Sequence, residues 1–225
     1  MIFRELLWGI ENNLWYDYIG KALTSLFKGG SLIQMETTKK MFGTKQITTS
    51  AILLAICIIS QVFKNLSIFI TGPIINTCIV LAVLLVGLPC GLILSVITPV
   101  TAYIIAASPV MNAVPLIIPF IMLGNCVLAI AVALLLKKSI GENGRKFINP
   151  KNILLSVVCA LAKGLFMGLT ISLWLLPTFI PAESPLRGKM SVFQTTFSVY
   201  QFLTACIGFV YVFLILLALR GKGKD

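Results

Sequence analysis

The sequence contains no histidine, and its acidic residues are few. All seven Asp and Glu residues lie outside the long apolar runs, at Glu5, Glu11, Asp17, Glu36, Glu142, Glu183 and Asp225. Proton-coupled carriers and pumps use a carboxylate or a histidine inside the membrane as a proton relay. The chain therefore lacks the groups with which such proteins couple transport to protons.

Catalytic and nucleotide-binding motifs are absent as well. No G-x-x-x-x-G-K-[ST] loop is present to hold the phosphates of ATP. Without histidine there is no Ser/His/Asp or Cys/His set for nucleophilic catalysis. The six cysteines form no Cys-x-x-Cys pair, so neither a metal site nor a disulfide framework is expected. We therefore expect a protein that is not an enzyme, with no catalytic residue, no metal and no cofactor.

Apolar residues dominate what is present, at 58% of the chain against 11% charged, with a mean hydropathy of +1.01. A run of about 18 or more apolar residues covers the hydrocarbon core of a bilayer as a helix. The sequence predicts an all-α integral membrane protein, a six-transmembrane-helix bundle. The predicted spans cover residues 47–63, 68–88, 92–107, 114–136, 153–176 and 199–219.

Proline dipeptides are expected to mark the connections between these spans. Gly72-Pro73, Leu88-Pro89, Ser108-Pro109 and Asn149-Pro150 all have the composition of turns. The third span is predicted to be short, with a kink at Pro99.

The distribution of Lys and Arg predicts how the bundle is oriented. Eleven of the 18 basic residues flank one side of the six spans, whereas only Lys64, Arg187 and Lys189 flank the other. Cytoplasmic loops carry the excess of Lys and Arg, so both ends of the six-span core are predicted to face the cytoplasm. No basic stripe with interleaved aromatic residues occurs on a soluble domain, so binding of nucleic acid is not expected.

Two segments are distinguished along the chain. Residues 35–225 form the predicted six-helix membrane domain. Residues 1–34 form an N-terminal extension in which apolar residues recur at helical spacing, as in an amphipathic helix lying in the membrane interface. The alternative is that translation begins at Met35 and that the extension is a mis-annotated start. The sequence leaves both interpretations open.

Lys163 is the one formal charge inside a predicted span. It is interpreted either as a bundle-facing cation that meets an acceptor on a ligand, or as a lysine that extends toward the headgroups along its flexible stem. Met167, Thr170 and Trp174 follow it at helical spacing and are expected to share its face. Asn125, in the fourth span, falls at a similar depth. It is interpreted either as part of a solute site with Lys163 or as an amide that joins two helices.

Further polar side chains lie in or above the outer half of the predicted bundle, where together they could form a polar cup under the outer loops. They are Asn76, Asn112, Gln61, Gln194 and Gln201. We select Lys163, Asn125, Asn76, Asn112, Trp174 and Gln201 as the candidate substrate-binding residues. Ala51 and Ala55 form a small-x-x-x-small pair in the first span, a spacing that lets another helix approach closely.

Four stretches resemble a known family, the substrate-binding S components of energy-coupling factor (ECF) transporters, which take up vitamins and related micronutrients in prokaryotes. One is Ala51-Ile-Leu-Leu-Ala55 after a basic lead-in, and another is the Pro119…Gly124-Asn125 pattern. The others are Ala162-Lys163-Gly164 and the stretch from Gln201 to Gly208. The likeness covers about residues 38–220.

The resemblance implies a multi-pass protein of the prokaryotic cell (plasma) membrane that binds one small molecule from outside. It also implies partners that supply the energy, namely a membrane-embedded T component and two ATPase subunits. By match to the family, Ala51 and Ala55 would face the T component. Lys163 favours an anionic or carboxylate-bearing solute.

Two other functions are compatible with the sequence. One is a structural or assembly protein, or a small channel, in which Lys163 and Asn125 face other helices or headgroups and no solute site exists. The other is a facilitator that moves solute down its gradient without a dedicated partner.

Overall fold

The computed structural model describes residues 43–63, 68–143 and 148–221, and the N-terminal extension lies outside these residues. In the described ranges the chain is helical and contains no strand. Six helices are long and apolar enough to cross a membrane, which confirms the predicted all-α six-helix bundle. These spans are Thr44–Val62, Phe69–Val86, Leu88–Ala106, Ile117–Ile140, Pro150–Phe179 and Arg187–Leu219.

The helices are numbered in chain order. They are α1 (Thr44–Val62), α2 (Ile68–Leu81), α3 (Leu88–Ala106), α4 (Pro109–Ala113), α5 (Ile117–Ala131), α6 (Lys138–Asn143), α7 (Pro150–Met167), α8 (Leu176–Phe179), α9 (Met190–Phe197) and α10 (Val199–Gly221). Three wider, π-helical segments follow α2, α5 and α7, at Ala82–Val86, Val132–Lys137 and Gly168–Leu175. The last two lead directly into α6 and α8, so each of these spans is one continuous helical rod.

Prolines begin several of these helices. Pro109 and Pro150 stand in the first turns of α4 and α7, where a missing N–H costs no hydrogen bond. Asn149 caps α7, because its side-chain oxygen accepts from the backbone N–H of Asn152 at 2.7 Å. Pro89 likewise lies in the first turn of α3, so the third span begins at Leu88 and is longer than predicted.

The prediction that Gly72-Pro73 lies in a connection is wrong, because Pro73 is inside α2. A proline removes one backbone hydrogen bond from a helix. Breaking the helix there would instead expose many unpaired backbone groups to lipid. The continuous apolar sequence around Pro73 therefore keeps the helix intact.

The core is divided into two apolar clusters with a polar layer between them. One cluster lies toward the end that carries Lys45, Lys137 and Lys151, here called the Lys-rich end, and the other lies toward the opposite end. Along α5 and α7 the polar residues fall between the two clusters. The polar layer consists of the buried residues Gln61, Thr71, Asn76, Thr98, Asn125, Lys163 and Thr204.

Glycines bring three helices close together at this layer. A Cβ added at Gly164 of α7 would lie 2.8 Å from the Cβ of Phe202 of α10. A Cβ added at Gly208 of α10 would lie 3.0 Å from the Cβ of Asn76 of α2. Both contacts are tighter than ordinary side-chain packing permits. The glycines therefore allow α2, α7 and α10 to approach each other beside Lys163.

Candidate functional site

Lys163 lies at the centre of the polar layer, with only 3% of its surface exposed. Its Nζ donates a hydrogen bond of 2.6 Å to Oδ1 of Asn76 and one of 2.7 Å to Oδ1 of Asn125. These short distances are typical of hydrogen bonds from an ammonium group. The side chain therefore faces the interior of the bundle and does not extend toward a headgroup.

Three helices supply this cluster. Lys163 is on α7, Asn76 on α2 and Asn125 on α5, so residues far apart in sequence meet at one point. A fourth helix joins through Thr204 of α10, whose Oγ1 accepts a hydrogen bond of 3.4 Å from Nδ2 of Asn76. The ammonium has no acceptor atoms, so both asparagines must turn their oxygens toward it. We call Lys163, Asn76, Asn125 and Thr204 the lysine cluster.

The positive charge of Lys163 has no carboxylate partner in any membrane span, since every acidic residue of the sequence lies outside them. Two neutral amide oxygens stabilise the ammonium, but they do not neutralise its charge. A buried charge without a counter-ion is costly in an apolar medium. An ammonium also has three N–H donors, and the described residues provide acceptors for two of them. The charge of Lys163 is therefore uncompensated by any group within the spans.

The other candidate substrate-binding residues do not join the lysine cluster. Asn112 is exposed on the short helix α4. Trp174 is 53% exposed, and its ring meets that of Phe120 edge-on at a centroid distance of 5.7 Å. Gln201 is half-buried and donates to the backbone oxygen of Thr196 at 3.5 Å. Of the six candidates, the structure brings together Lys163, Asn76 and Asn125.

The expectation that Met167, Thr170 and Trp174 share the face of Lys163 is wrong for Trp174. Met167 is fully buried, Thr170 is half-buried and Trp174 is turned outward. The cause is the π-helical segment Gly168–Leu175, whose turns contain more residues than those of an α-helix. The spacing of an α-helix therefore no longer predicts which side chains share a face.

The expected polar cup is also absent as a single group. Gln194 is paired with Ser172: its Nε2 donates to the Ser172 oxygen at 3.0 Å, while Ser172 Oγ donates to the Gln194 oxygen at 2.8 Å. Gln61 lies elsewhere, at the last turn of α1, and donates to the backbone oxygen of Thr98 at 3.0 Å. Gln194 therefore joins α9 to the π-helical segment after α7, whereas Gln61 joins α1 to α3.

Ala51 and Ala55 are both exposed on the surface of α1. The same surface carries the exposed residues Ile52 and Ile59, at 55% and 61%. Only Leu53, Cys57, Ser60 and Gln61 of α1 are buried. This helix therefore presents a broad apolar face to its surroundings.

An apolar groove of about 390 Å³ lies between α1, α2 and α10, apart from the lysine cluster. Its lining residues are Leu53, Ile56, Ile74, Thr77, Cys78, Leu81, Tyr211, Leu214 and Ile215. The hydroxyl of Thr77 is already bonded to the oxygens of Pro73 and Gly208. The groove therefore offers an apolar surface and little hydrogen bonding.

Thr204 is the member of the lysine cluster that sequence reasoning missed. The signal available was weak, because a single threonine in an apolar span commonly bonds to its own helix. Thr204 does so, donating to the Gln201 oxygen at 3.2 Å, but it also accepts from Asn76.

No family model, no curated protein and no solved structure matches the chain.

Proposed function

We propose that this protein is a solute-binding membrane subunit that captures a small anionic molecule and depends on another subunit for energy. The single observation that carries the proposal is the buried Lys163 ammonium, held by Asn76 and Asn125 with no carboxylate in any span. Lipid-embedded ionisable residues are costly and usually mark a binding site or pathway. A solute carboxylate or other anion would supply the missing charge.

The finer form of the proposal is an ECF-type S component for a vitamin or related micronutrient. Its supports are the resemblance of four sequence stretches and the six-span bundle. A further support is the uncovered face of α1 around Ala51 and Ala55, on which a T component could pack. The sequence has neither a proton relay nor a nucleotide-binding loop, which fits a subunit powered by partner ATPases. The proposed location is the prokaryotic plasma membrane.

Native mass spectrometry of the protein purified from membranes of cells grown in rich medium tests the proposal. We expect a bound small molecule, together with a membrane partner and two ATPase subunits. Lys163→Met removes the charge with little change in side-chain length. Losing a charge-assisted hydrogen bond should weaken retention of that small molecule by about 10- to 100-fold.

Lys137→Met is the matched control. Lys137 is a partly buried lysine near the end of a span, and its Nζ donates to the backbone oxygen of Val83, away from the lysine cluster. It should retain the small molecule at the wild-type level. A wild-type protein that carries no small molecule, or a Lys163→Met protein that keeps it fully, would contradict the proposal.

A structural or assembly role is the second candidate, because Lys163 obtains its two acceptors from the chain itself. Buried ionic groups of this kind can fix which helices pair. For this role, replacing Lys163, Asn76 and Asn125 together by Met, Leu and Leu should weaken attachment of the partners, because α2, α5 and α7 lose the contact that fixes their pairing. The capture function requires the same triple variant to lose the small molecule.

A further inference from the structure

The apolar groove between α1, α2 and α10 results from the way these three helices pack. α2 packs extensively against both α1 and α10, whereas α1 and α10 scarcely touch each other. α2 therefore forms the floor of the groove, and α1 and α10 form its two walls. Cys78 and Leu81 on the floor are 3% and 4% exposed, whereas Ile56 and Leu214 on the walls are 43% and 56% exposed. The groove therefore opens sideways, toward the hydrocarbon of the membrane.

The groove lies in one leaflet of the membrane. Ile56 is twelve residues after Thr44, where α1 begins, and Ile215 is six residues before Gly221, where α10 ends. At a rise of 1.5 Å per residue, these positions are about 18 Å and 9 Å from the Lys-rich end of their helices. A headgroup layer is about 5–8 Å thick, and the hydrocarbon of one leaflet about 15 Å. The groove is therefore at the depth of the acyl chains in the leaflet at the Lys-rich end.

The lining of the groove suits a flexible hydrocarbon chain. Six of its nine lining residues are Leu or Ile, and none is Gly, Ala or Ser. Helices that associate in membranes instead present small residues, which let two backbones approach closely. The hydroxyl of Thr77, on the floor, is already bonded to backbone oxygens of the chain itself. A thin acyl chain can follow this bulky apolar surface, whereas a partner helix or a second copy of the chain could not approach it closely.

Basic residues stand where the headgroup of such a lipid would lie. Lys45 is exposed in the first turn of α1, and Arg220 is the penultimate residue of α10. Neither of these two helices contains an acidic residue. In the sequence, Arg220 is followed by Lys222, Lys224 and Asp225, which leaves this end positive. Clusters of Lys and Arg beside a membrane helix attract anionic lipids, so the charge at this end of the groove complements a phosphate.

We propose that the groove binds one anionic phospholipid from the leaflet at the Lys-rich end. One acyl chain lies on α2 between the two walls, and the headgroup lies against the basic ends of α1 and α10. The lipid adds packing to α1, which is the least buried of the six spans. The site is separate from the lysine cluster, and it does not depend on the capture of a solute.

The first test is native mass spectrometry of the full chain in mixed micelles. The micelles contain equal amounts of phosphatidylglycerol, which is anionic, and phosphatidylcholine, which is zwitterionic, with identical acyl chains. We expect one phospholipid to stay bound after washing with excess detergent. The anionic lipid should be retained about fivefold more, the factor that one Lys or Arg near a membrane surface contributes. No retained phospholipid, equal retention of the two lipids, or a dimer that excludes lipid would each overturn the inference.

The second test fills the groove. Ile56→Trp combined with Leu214→Trp places a bulky ring on each wall, and it should lower lipid retention by about tenfold, because the acyl chain loses its apolar contacts. The matched control is Ile59→Trp combined with Leu217→Trp, which changes exposed residues of the same two helices outside the groove. The control should retain lipid at the wild-type level. Equal retention by the two double variants would show that the lipid binds elsewhere and would overturn the inference.

The third test removes the charges and leaves the groove intact, so it gives an answer even if the Trp variants do not fold. Lys45→Gln combined with Arg220→Gln should abolish the preference for phosphatidylglycerol. Lys138→Gln combined with Lys151→Gln is its control, because these exposed residues are also at the Lys-rich end but on α6 and α7. The control should keep the preference. A preference that survives in the first pair, or that falls equally in both, would overturn the inference.

Discussion

At the scale of single residues, the lysine cluster poses a problem of charge. Lys163 contributes an ammonium to a layer that otherwise contains only amides and hydroxyls. Asn76 and Asn125 each supply one oxygen to the ammonium. The amide nitrogen of Asn76 in turn donates a hydrogen bond to Oγ1 of Thr204. Removing one asparagine leaves the ammonium with a single acceptor. The cost of that change should therefore depend on whether the ammonium is present.

This dependence gives a prediction for Asn125→Leu. Alone, it should lower the free energy of unfolding by about 1.5–3 kcal/mol, because an ionised donor loses a partner. In a Lys163→Met background the same substitution should cost much less, since no buried charge remains to be satisfied. Thermal unfolding in detergent, followed through the reactivity of the buried cysteines, would measure all four proteins of the double-mutant cycle.

One outcome of this double-mutant cycle would contradict the prediction. If Asn125→Leu costs the same with and without the ammonium, the 2.7 Å contact contributes nothing specific to stability. Thr195→Val controls for a generic loss of polarity, because Thr195 is half-buried and its hydroxyl bonds to the Ser191 oxygen within its own helix, away from the lysine cluster. It should change the unfolding temperature little.

At the scale of elements, the π-helical segment before α8 explains how α9 is attached. In a π-helix the oxygen of residue 172 would pair with the amide of residue 177, which is a proline and has no N–H. The Ser172 oxygen is therefore free to accept from Gln194 of α9 at 3.0 Å. An irregular turn in one span thus provides the attachment point for a neighbouring helix.

We expect Gln194→Leu to loosen α9. The substitution leaves the Ser172 oxygen without its donor, while the bond from Ser172 Oγ to the Gln194 backbone remains possible. Loss of one hydrogen bond should speed backbone hydrogen exchange in residues 190–197 by about three- to tenfold. Exchange in α3, which has no contact with this pair in the described hydrogen bonds, serves as the internal reference. Unchanged exchange in α9 would show that other contacts hold this helix.

The same segment marks the limit of what the sequence could predict. The apolar runs predicted all six spans, because length and hydropathy alone decide whether a helix can cross a bilayer. The depth of Lys163 and Asn125 also followed from counting residues along antiparallel spans. The outward turn of Trp174 did not, because it depends on the backbone hydrogen-bond pattern of Gly168–Leu175. Apolar side chains give no signal that distinguishes a π-turn from an α-turn.

At the scale of the whole molecule, the polar layer separates two apolar clusters that have different neighbours. The cluster toward the Lys-rich end contains buried residues from α1, α2, α3, α5, α7 and α10. The opposite cluster is formed largely by α4, α9, the start of α5 and the π-helical end of α7. A solute that reaches Lys163 from the opposite end must therefore pass elements that are shorter and less regular. The orientation of the bundle therefore decides whether a solute from outside meets these shorter elements first.

Cysteine labelling of intact cells would test that orientation. The excess of Lys and Arg predicts that the Lys-rich end is cytoplasmic, so the segment between α8 and α9 should be outside. Ser184→Cys, in that segment, should react with a membrane-impermeant maleimide in intact cells. Glu142→Cys, at the Lys-rich end, should react only after the cells are opened. The parent protein is the control, since its six cysteines all lie in membrane spans. The reverse labelling pattern would place the shorter elements in the cytoplasm, and capture of a solute from outside through them would then be impossible.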